Sequence, residues 1–208
     1  MCTLLKDFSN LFMLCYLKNG GDWLMRILWD FDGTIMDTYP AYTDILYDIL
    51  NGNFTKGEIY QQLKISQSHA MDYFQLTDEQ RKEMIEKSRA ITNYTPFPYV
   101  ENVLQQAEVN VIMTHMNRAS VERILQETDL AKYFTEIVAG DDGFARKPDP
   151  AAYVYLHERY ELDYAIGDRE LDLIPAKKAG FKTIMFQNDC DVADYTINDY
   201  HHFFDLIP

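Results

Sequence analysis

Met25-Arg26-Ile27-Leu28-Trp29-Asp30-Phe31-Asp32-Gly33-Thr34 is a short apolar run that ends abruptly in acids and a glycine. An apolar run of this length, closed by a turn signal, reads as a buried strand over 26–31. Gly33 ends it, because a residue without a Cβ lets the backbone turn tightly.

Downstream, residues 36–96 read as mainly helical, with segments at 40–50, 56–63, 67–74 and 77–92. Thr77 followed by Gln80 has the spacing of a capping box. Pro96-Phe97-Pro98 breaks the block. From there helices and short apolar strands alternate. Helices are expected at 99–107, 118–127, 150–160 and 170–179, with strands at 109–114, 135–139, 163–167 and 181–186. A last helix is expected near 199–206. Such alternation predicts an α/β fold with a doubly wound parallel sheet. The first strand (25–35) and residues 97–208 form its core, and 36–96 is an α-helical insertion.

Met25 reads as a natural start for the first strand. Residues 1–24 are then either an appended helix or an effect of start-site choice, set off by Gly20-Gly21. The run from Leu11 to Leu17 is short and lacks a small-residue cleavage site, so it makes a poor signal peptide.

With 47% apolar and 25% charged residues among 208, the composition is that of an ordinary globular protein. Nineteen Lys+Arg against 33 Asp+Glu gives a net charge of −14. That argues against nucleic acid and against an anionic membrane surface as partners, since both need a basic footprint. Cys2, Cys15 and Cys190 have no CxxC spacing and fit a reducing, cytoplasmic setting.

In open parallel sheets, ligands bind at the carboxyl ends of the strands. The polar residues expected there are Asp30 and Asp32, Thr114, Asp168 with Asp172 one turn later, and Lys147 in the loop Arg146-Lys147-Pro148-Asp149-Pro150. Several carboxylates close together cannot all stay ionised without a cation. An all-oxygen donor set with open positions points to Mg²⁺. A cation beside a lysine and a hydroxyl suits a phosphoryl group. One carboxylate can then serve as nucleophile and another as general acid/base.

The run Asp30-Phe31-Asp32-Gly33-Thr34 resembles the first motif of the haloacid dehalogenase-like hydrolase superfamily. Thr114, Lys147 and Gly167-Asp168-Arg169-Glu170-Leu171-Asp172 resemble its second, third and fourth motifs, in order. Ala176-Lys177-Lys178-Ala179-Gly180 is similar to the helix end that follows. The resemblance covers residues 25 to about 190, and the helical insertion is similar to the small cap of phosphoglycolate phosphatase-like members. It implies a Rossmann-like core and a soluble, Mg²⁺-dependent phosphatase acting on a small phosphorylated metabolite. In that scheme Asp30 is the nucleophile and Asp32 the general acid/base. Thr114 and Lys147 bind the phosphoryl group beside Gly33 and Thr34. Asp30, Asp32 (through its backbone carbonyl) and Asp168 hold the metal. Asp172 either reaches it through water or orients Lys147. A sugar-phosphate mutase, an inorganic pyrophosphatase and a non-catalytic partner-binding module are the alternatives, and the chain is expected to be a monomer or homodimer. His115-Met116-Asn117 departs from the pattern, where Asn often follows the hydroxyl residue directly. His115, Arg118, Tyr39 and Tyr42 are further residues that stand where they can face a substrate, whereas the adjacent His201 and His202 point apart on a helix and make a poor metal pair.

Overall fold

The computed structural model describes residues 25–207. The readings made for residues 1–24, Cys2 and Cys15 included, lie outside the described residues.

Among the described residues, six parallel strands form one sheet: β1 (Arg26–Trp29), β2 (Val109–Met113), β3 (Glu136–Val138), β4 (Tyr164–Gly167), β5 (Lys182–Phe186) and β6 (Tyr195–Ile197). Their order is β3-β2-β1-β4-β5-β6, so the first strand is central. Its residues alternate between the two faces, as the two-residue pleat requires. Ile27 and Trp29 join one buried cluster with Ile112, Ile166 and Phe186. Leu28 faces the other way, against Val111, Ala165, Tyr153 and Leu156. Burial on both faces is what a parallel sheet needs and explains its near-continuous apolar runs.

The strand β1 is shorter than 26–31. After Asp30, whose N–H still reaches β4, the chain turns away from the sheet, and Phe31 O accepts the N–H groups of Ile35 and Met36 at 3.0 and 3.1 Å. Strand β6 was not expected; at three residues it carries too little alternation to stand out. The last helix covers only Phe203–Leu206, because the Asp199 carboxylate takes the His201 N–H at 2.8 Å in a local turn. Pro150 is the N-cap rather than the first helical residue, and Asp149 accepts the Ala151 N–H at 2.9 Å.

Between β1 and β2 lie α1 (Tyr39–Ile49), α2 (Lys56–Ile65), α3 (Gln67–Tyr73), α4 (Asp78–Arg89) and α5 (Val100–Gln106). The first four pack around a hydrophobic cluster of their own, with Leu46, Ile59, Leu63, Met71 and Met84 at its centre. The Thr77–Gln80 capping box opens α4. The two crossings between this cap and the sheet are stitched together: Asp37 N donates to Thr95 O and Phe97 N to Ile35 O, each at 2.9 Å. Five more helical elements follow β2: α6 (Arg118–Glu127), a 3-10 turn (Ala131–Tyr133), α7 (Ala151–Tyr160), α8 (Glu170–Ala179) and α9 (Phe203–Leu206). Among the described residues, no helix is long and apolar enough to cross a membrane.

Buried polar residues on the strands include Thr183 on β5 and Asn110 on β2. Asn110 is 2% exposed. Its Oδ1 accepts the Trp29 indole N–H at 2.8 Å, and its Nδ2 donates to Leu104 O and Tyr133 O at 2.9 and 3.3 Å. It thus ties the central strand to α5 and to the 3-10 turn. An unmet buried polar group costs about 1–3 kcal/mol. Asn110→Ala is therefore expected to lower stability by about 3 kcal/mol in urea unfolding; a loss below about 1 kcal/mol would refute the role of this network.

Candidate active site

The winding reverses between β1 and β4, which lie side by side. At such a switch point a crevice opens beyond the carboxyl ends of the strands. Asp30 follows β1, Asp168 follows β4 and Thr114 follows β2. Asp30 is fastened to the neighbouring strand through its N–H, which donates to Ile166 O at 2.9 Å. One carboxylate oxygen each of Asp30, Asp168 and Asp172 lies within 4.8 Å of the others, and all three residues are buried. This all-oxygen cluster has the donor chemistry of a hard divalent cation.

Gly33 makes the packing possible. Its φ is +77°, and a Cβ there would stand 2.1 Å from Tyr39 Cε2 and 2.8 Å from Asp168 Oδ2. Gly33 and Thr34 were expected to touch substrate, but neither lines the cavity. The Thr34 hydroxyl is buried within reach of Asp30 Oδ2 (3.3 Å) and Asp168 Oδ1 (3.5 Å), so it holds carboxylates instead.

Lys147 lies beneath the crevice, its side chain sealed from solvent. Its Nζ donates to Asp30 Oδ1 at 2.6 Å and to Asp172 Oδ1 at 2.8 Å. Burial alone would lower the lysine pKa, but Asp172 and Asp30 outweigh it and hold it above the usual range. Burial and Asp172 raise Asp30, against Lys147 and Arg169. Arg169 donates from Nε to Asp172 Oδ2 and from Nη2 to Asp172 Oδ1, both at 3.2 Å. Both Asp172 oxygens are thereby engaged. Despite the burial that opposes it, Arg169 and Lys147 lower its pKa. Of the two roles open for Asp172, this geometry supports orienting Lys147.

Asp32 turns away from that cluster toward the cap. Tyr42 donates to its Oδ1 at 2.8 Å, and its other side faces the cavity. Burial, with Asp30 close by, pushes it up to about 6. Burial likewise raises Asp168 to about 6, against the pull of Arg169 and Lys64. The Asp168 Oδ2 accepts from Tyr39 Oη at 2.9 Å and from Lys64 Nζ at 2.7 Å.

The cavity between cap and sheet measures about 400 Å³. Asp30, Asp32, Thr114 and Asn117 line its floor, while Leu63, Gln67, Met71 and Ser88 line its roof. The Thr114 Oγ accepts the Met116 N–H at 3.1 Å, which leaves its hydroxyl proton to be donated. Asn117 caps α6 through the Ser120 N–H at 3.0 Å. Arg118 does not reach the cavity: it clamps Asp142 and donates to Ile137 O at 2.7 Å. His202 pairs with Asp205 at 3.0 Å.

Three participants were missed. Arg169 occupies a variable position of the fourth motif, where its charge is the only signal. Lys64 belongs to the cap, 104 positions from its partner. The third is the role of His115, whose Nε2 accepts the Lys147 N–H at 2.9 Å and so fixes the loop that carries the lysine.

The family profile of the haloacid dehalogenase-like hydrolases matches residues 27–186. The chain belongs to this family. It is 28% identical to a protein named pyrophosphatase PpaX from Oceanobacillus iheyensis, with 77% of this chain and 82% of that one covered. It is 24% identical to a phosphoglycolate phosphatase of Vibrio parahaemolyticus, over 74% of this chain and 79% of the other. Among solved structures, a hydrolase from Streptococcus pneumoniae TIGR4 superposes with a TM-score of 0.60 at 29% identity, covering 77% of this chain and 91% of that one. The chain is a hydrolase of this family, similar to its phosphoglycolate phosphatases.

Burial, followed by the charges of Lys147 and Arg146, depresses His115 to about 3. The unfolded chain protonates its histidines near an ordinary value of about 6.5. This residue therefore adds stability above that pH and withdraws it as the pH falls toward 3. The His115 ring resonances are expected to stay still in NMR spectra between pH 8 and 5. A titration midpoint near 6.5 would contradict the assignment.

Proposed function

We propose that this hydrolase is a cytoplasmic, Mg²⁺-dependent phosphatase that cleaves a small phosphomonoester through an aspartyl-phosphate on Asp30. The observation that carries the reading is the contrast between two carboxylates at one cavity. Asp30 is paired with a buried ammonium at 2.6 Å, whereas Asp32, pushed up to about 6, meets a tyrosine and the cavity. Carboxylates in such different environments divide nucleophile and acid/base work between them.

Asp30 attacks phosphorus and forms an O–P bond as the bond to the departing alkoxide breaks. Asp32 gives that alkoxide its proton. It then takes a proton from water, whose oxygen attacks phosphorus and releases Asp30 and inorganic phosphate. Lys147 offsets negative charge on Asp30 throughout, and Thr114 donates its hydroxyl proton to a phosphoryl oxygen. Asp30 and Asp168 would hold Mg²⁺, with the Asp32 backbone carbonyl, and the ion would offset phosphoryl charge when bound. Asp172 keeps Lys147 in line. The Leu63 and Met71 side chains in the roof exclude water from the reaction.

The curated relatives' names, a phosphoglycolate phosphatase and a pyrophosphatase, support a small phosphorylated metabolite as substrate. The protein would work on it as a monomer or homodimer, with no nucleic acid or membrane involved. The pyrophosphatase name keeps hydrolysis of inorganic pyrophosphate as the second reading.

A panel of phosphorylated metabolites with pyrophosphate, scored by phosphate release, tests both readings. Asp30→Asn is expected to cut Mg²⁺-dependent release at least about a thousandfold while the protein stays folded; wild-type turnover in that variant would remove Asp30 as nucleophile. Stripping divalent ions with EDTA is expected to abolish turnover and excess Mg²⁺ to restore it. Full activity in EDTA would refute the metal requirement.

A further inference from the structure

Lys64 stands in α2 of the cap, yet its ammonium reaches the end of β4. The Nζ lies 2.7 Å from Asp168 Oδ2, with the lysine side chain 15% exposed and that of Asp168 fully buried. The same ammonium sits 4.8 Å from the centre of the Tyr39 ring, and the Tyr39 hydroxyl shares the carboxylate oxygen at 2.9 Å. A carboxylate and a ring face thus hold the cation together, in a place with little water to screen it.

The other two cations of the site differ in origin. Lys147 comes from the loop before α7 and Arg169 from the start of α8, so both belong to the sheet domain and stay with the carboxylates wherever the cap stands. Among the described residues ion-paired with these carboxylates, Lys64 is the one that comes from the cap. The cap as it stands therefore supplies one positive charge to Asp168, and a cap swung away from the sheet would take that charge with it.

Asp168 is also a residue that the proposed function assigns to the divalent ion, and the present inference rests on that assignment. Two cations that draw on one buried carboxylate weaken each other, and the weakening is reciprocal. We propose that Lys64 is a positioning residue that couples cap closure to divalent-ion binding, its ammonium competing with the ion for Asp168. Ion entry loosens the cap, and cap closure weakens the ion.

Calorimetric titration of the full chain with Mg²⁺ tests this, using Lys64→Gln, Lys64→Arg and, as a control for net charge, Lys56→Gln. Lys56 lies on the same helix but pairs with Asp44, away from the site. Lys64→Gln is expected to bind Mg²⁺ at least about fivefold more tightly than wild type, with Lys64→Arg and Lys56→Gln within about twofold of it. Hydrogen exchange supplies a readout without metal: α2 amides should exchange faster in Lys64→Gln than in wild type, and adding Mg²⁺ to wild type should have the same effect. Unchanged affinity in Lys64→Gln, or equal tightening in Lys56→Gln, overturns the coupling and leaves the metal assignment standing. Failure of every variant to bind Mg²⁺ overturns both.

Discussion

The site depends on a buried ammonium held between two buried carboxylates. Lys147 touches Asp30 and Asp172 at 2.6 and 2.8 Å, and none of the three side chains is more than 2% exposed. Removing charges from water is expensive, and their attraction repays it only when the geometry is excellent. Much of the neighbourhood serves that requirement. His115 anchors the lysine's own N–H, the Arg169 Nε–H fills the far oxygen of Asp172, and the Thr34 hydroxyl reaches the other oxygen of Asp30. Gly33 lets the turn close over Asp168 without a Cβ in the way. A neutral His115 matters here, because a protonated ring would have no lone pair for the Lys147 amide.

The net charge of −14 takes on a different meaning beside this cluster. Most of the acids are solvated and say nothing of chemistry. At the crevice, Asp30, Asp168 and Asp172 are matched within 4 Å by Lys64, Lys147 and Arg169. Asp32, a fourth acid at the crevice, bonds to the Tyr42 hydroxyl instead, so the three buried acids are offset locally while the chain as a whole stays acidic.

What could be read from the chain was local, and what escaped was set by docking. The ends of β2 and β4 were visible to within a residue because an apolar run that breaks at Thr114 or Asp168 carries its own boundary, whereas β1 ends two residues before the expected Phe31. The cap helices were visible through periodicity and through the Thr77 cap. Tyr39 and Tyr42 were visible as residues near the crevice, but their partners, Asp168 and Asp32, depend on how α1 leaves the turn after Gly33. Lys64 was out of reach, since nothing in α2 marks one lysine as the one that meets a residue of β4. Asn110 is a polar residue in an otherwise apolar strand, and only the packing of β1, α5 and the 3-10 turn gives it its three partners.

The stitching of the two crossings has a consequence for the division of labour. Asp37 bonds to Thr95 and Ile35 to Phe97, so the chain leaves the sheet and returns to it through the same doorway. To the sheet, the whole excursion is equivalent to a hairpin turn whose ends are already closed. The entropy of closing a loop grows only slowly with its length. The sheet is therefore nearly indifferent to how large the excursion is or what it contains. The cap can be rewritten, lengthened or exchanged without asking the sheet domain to fold differently.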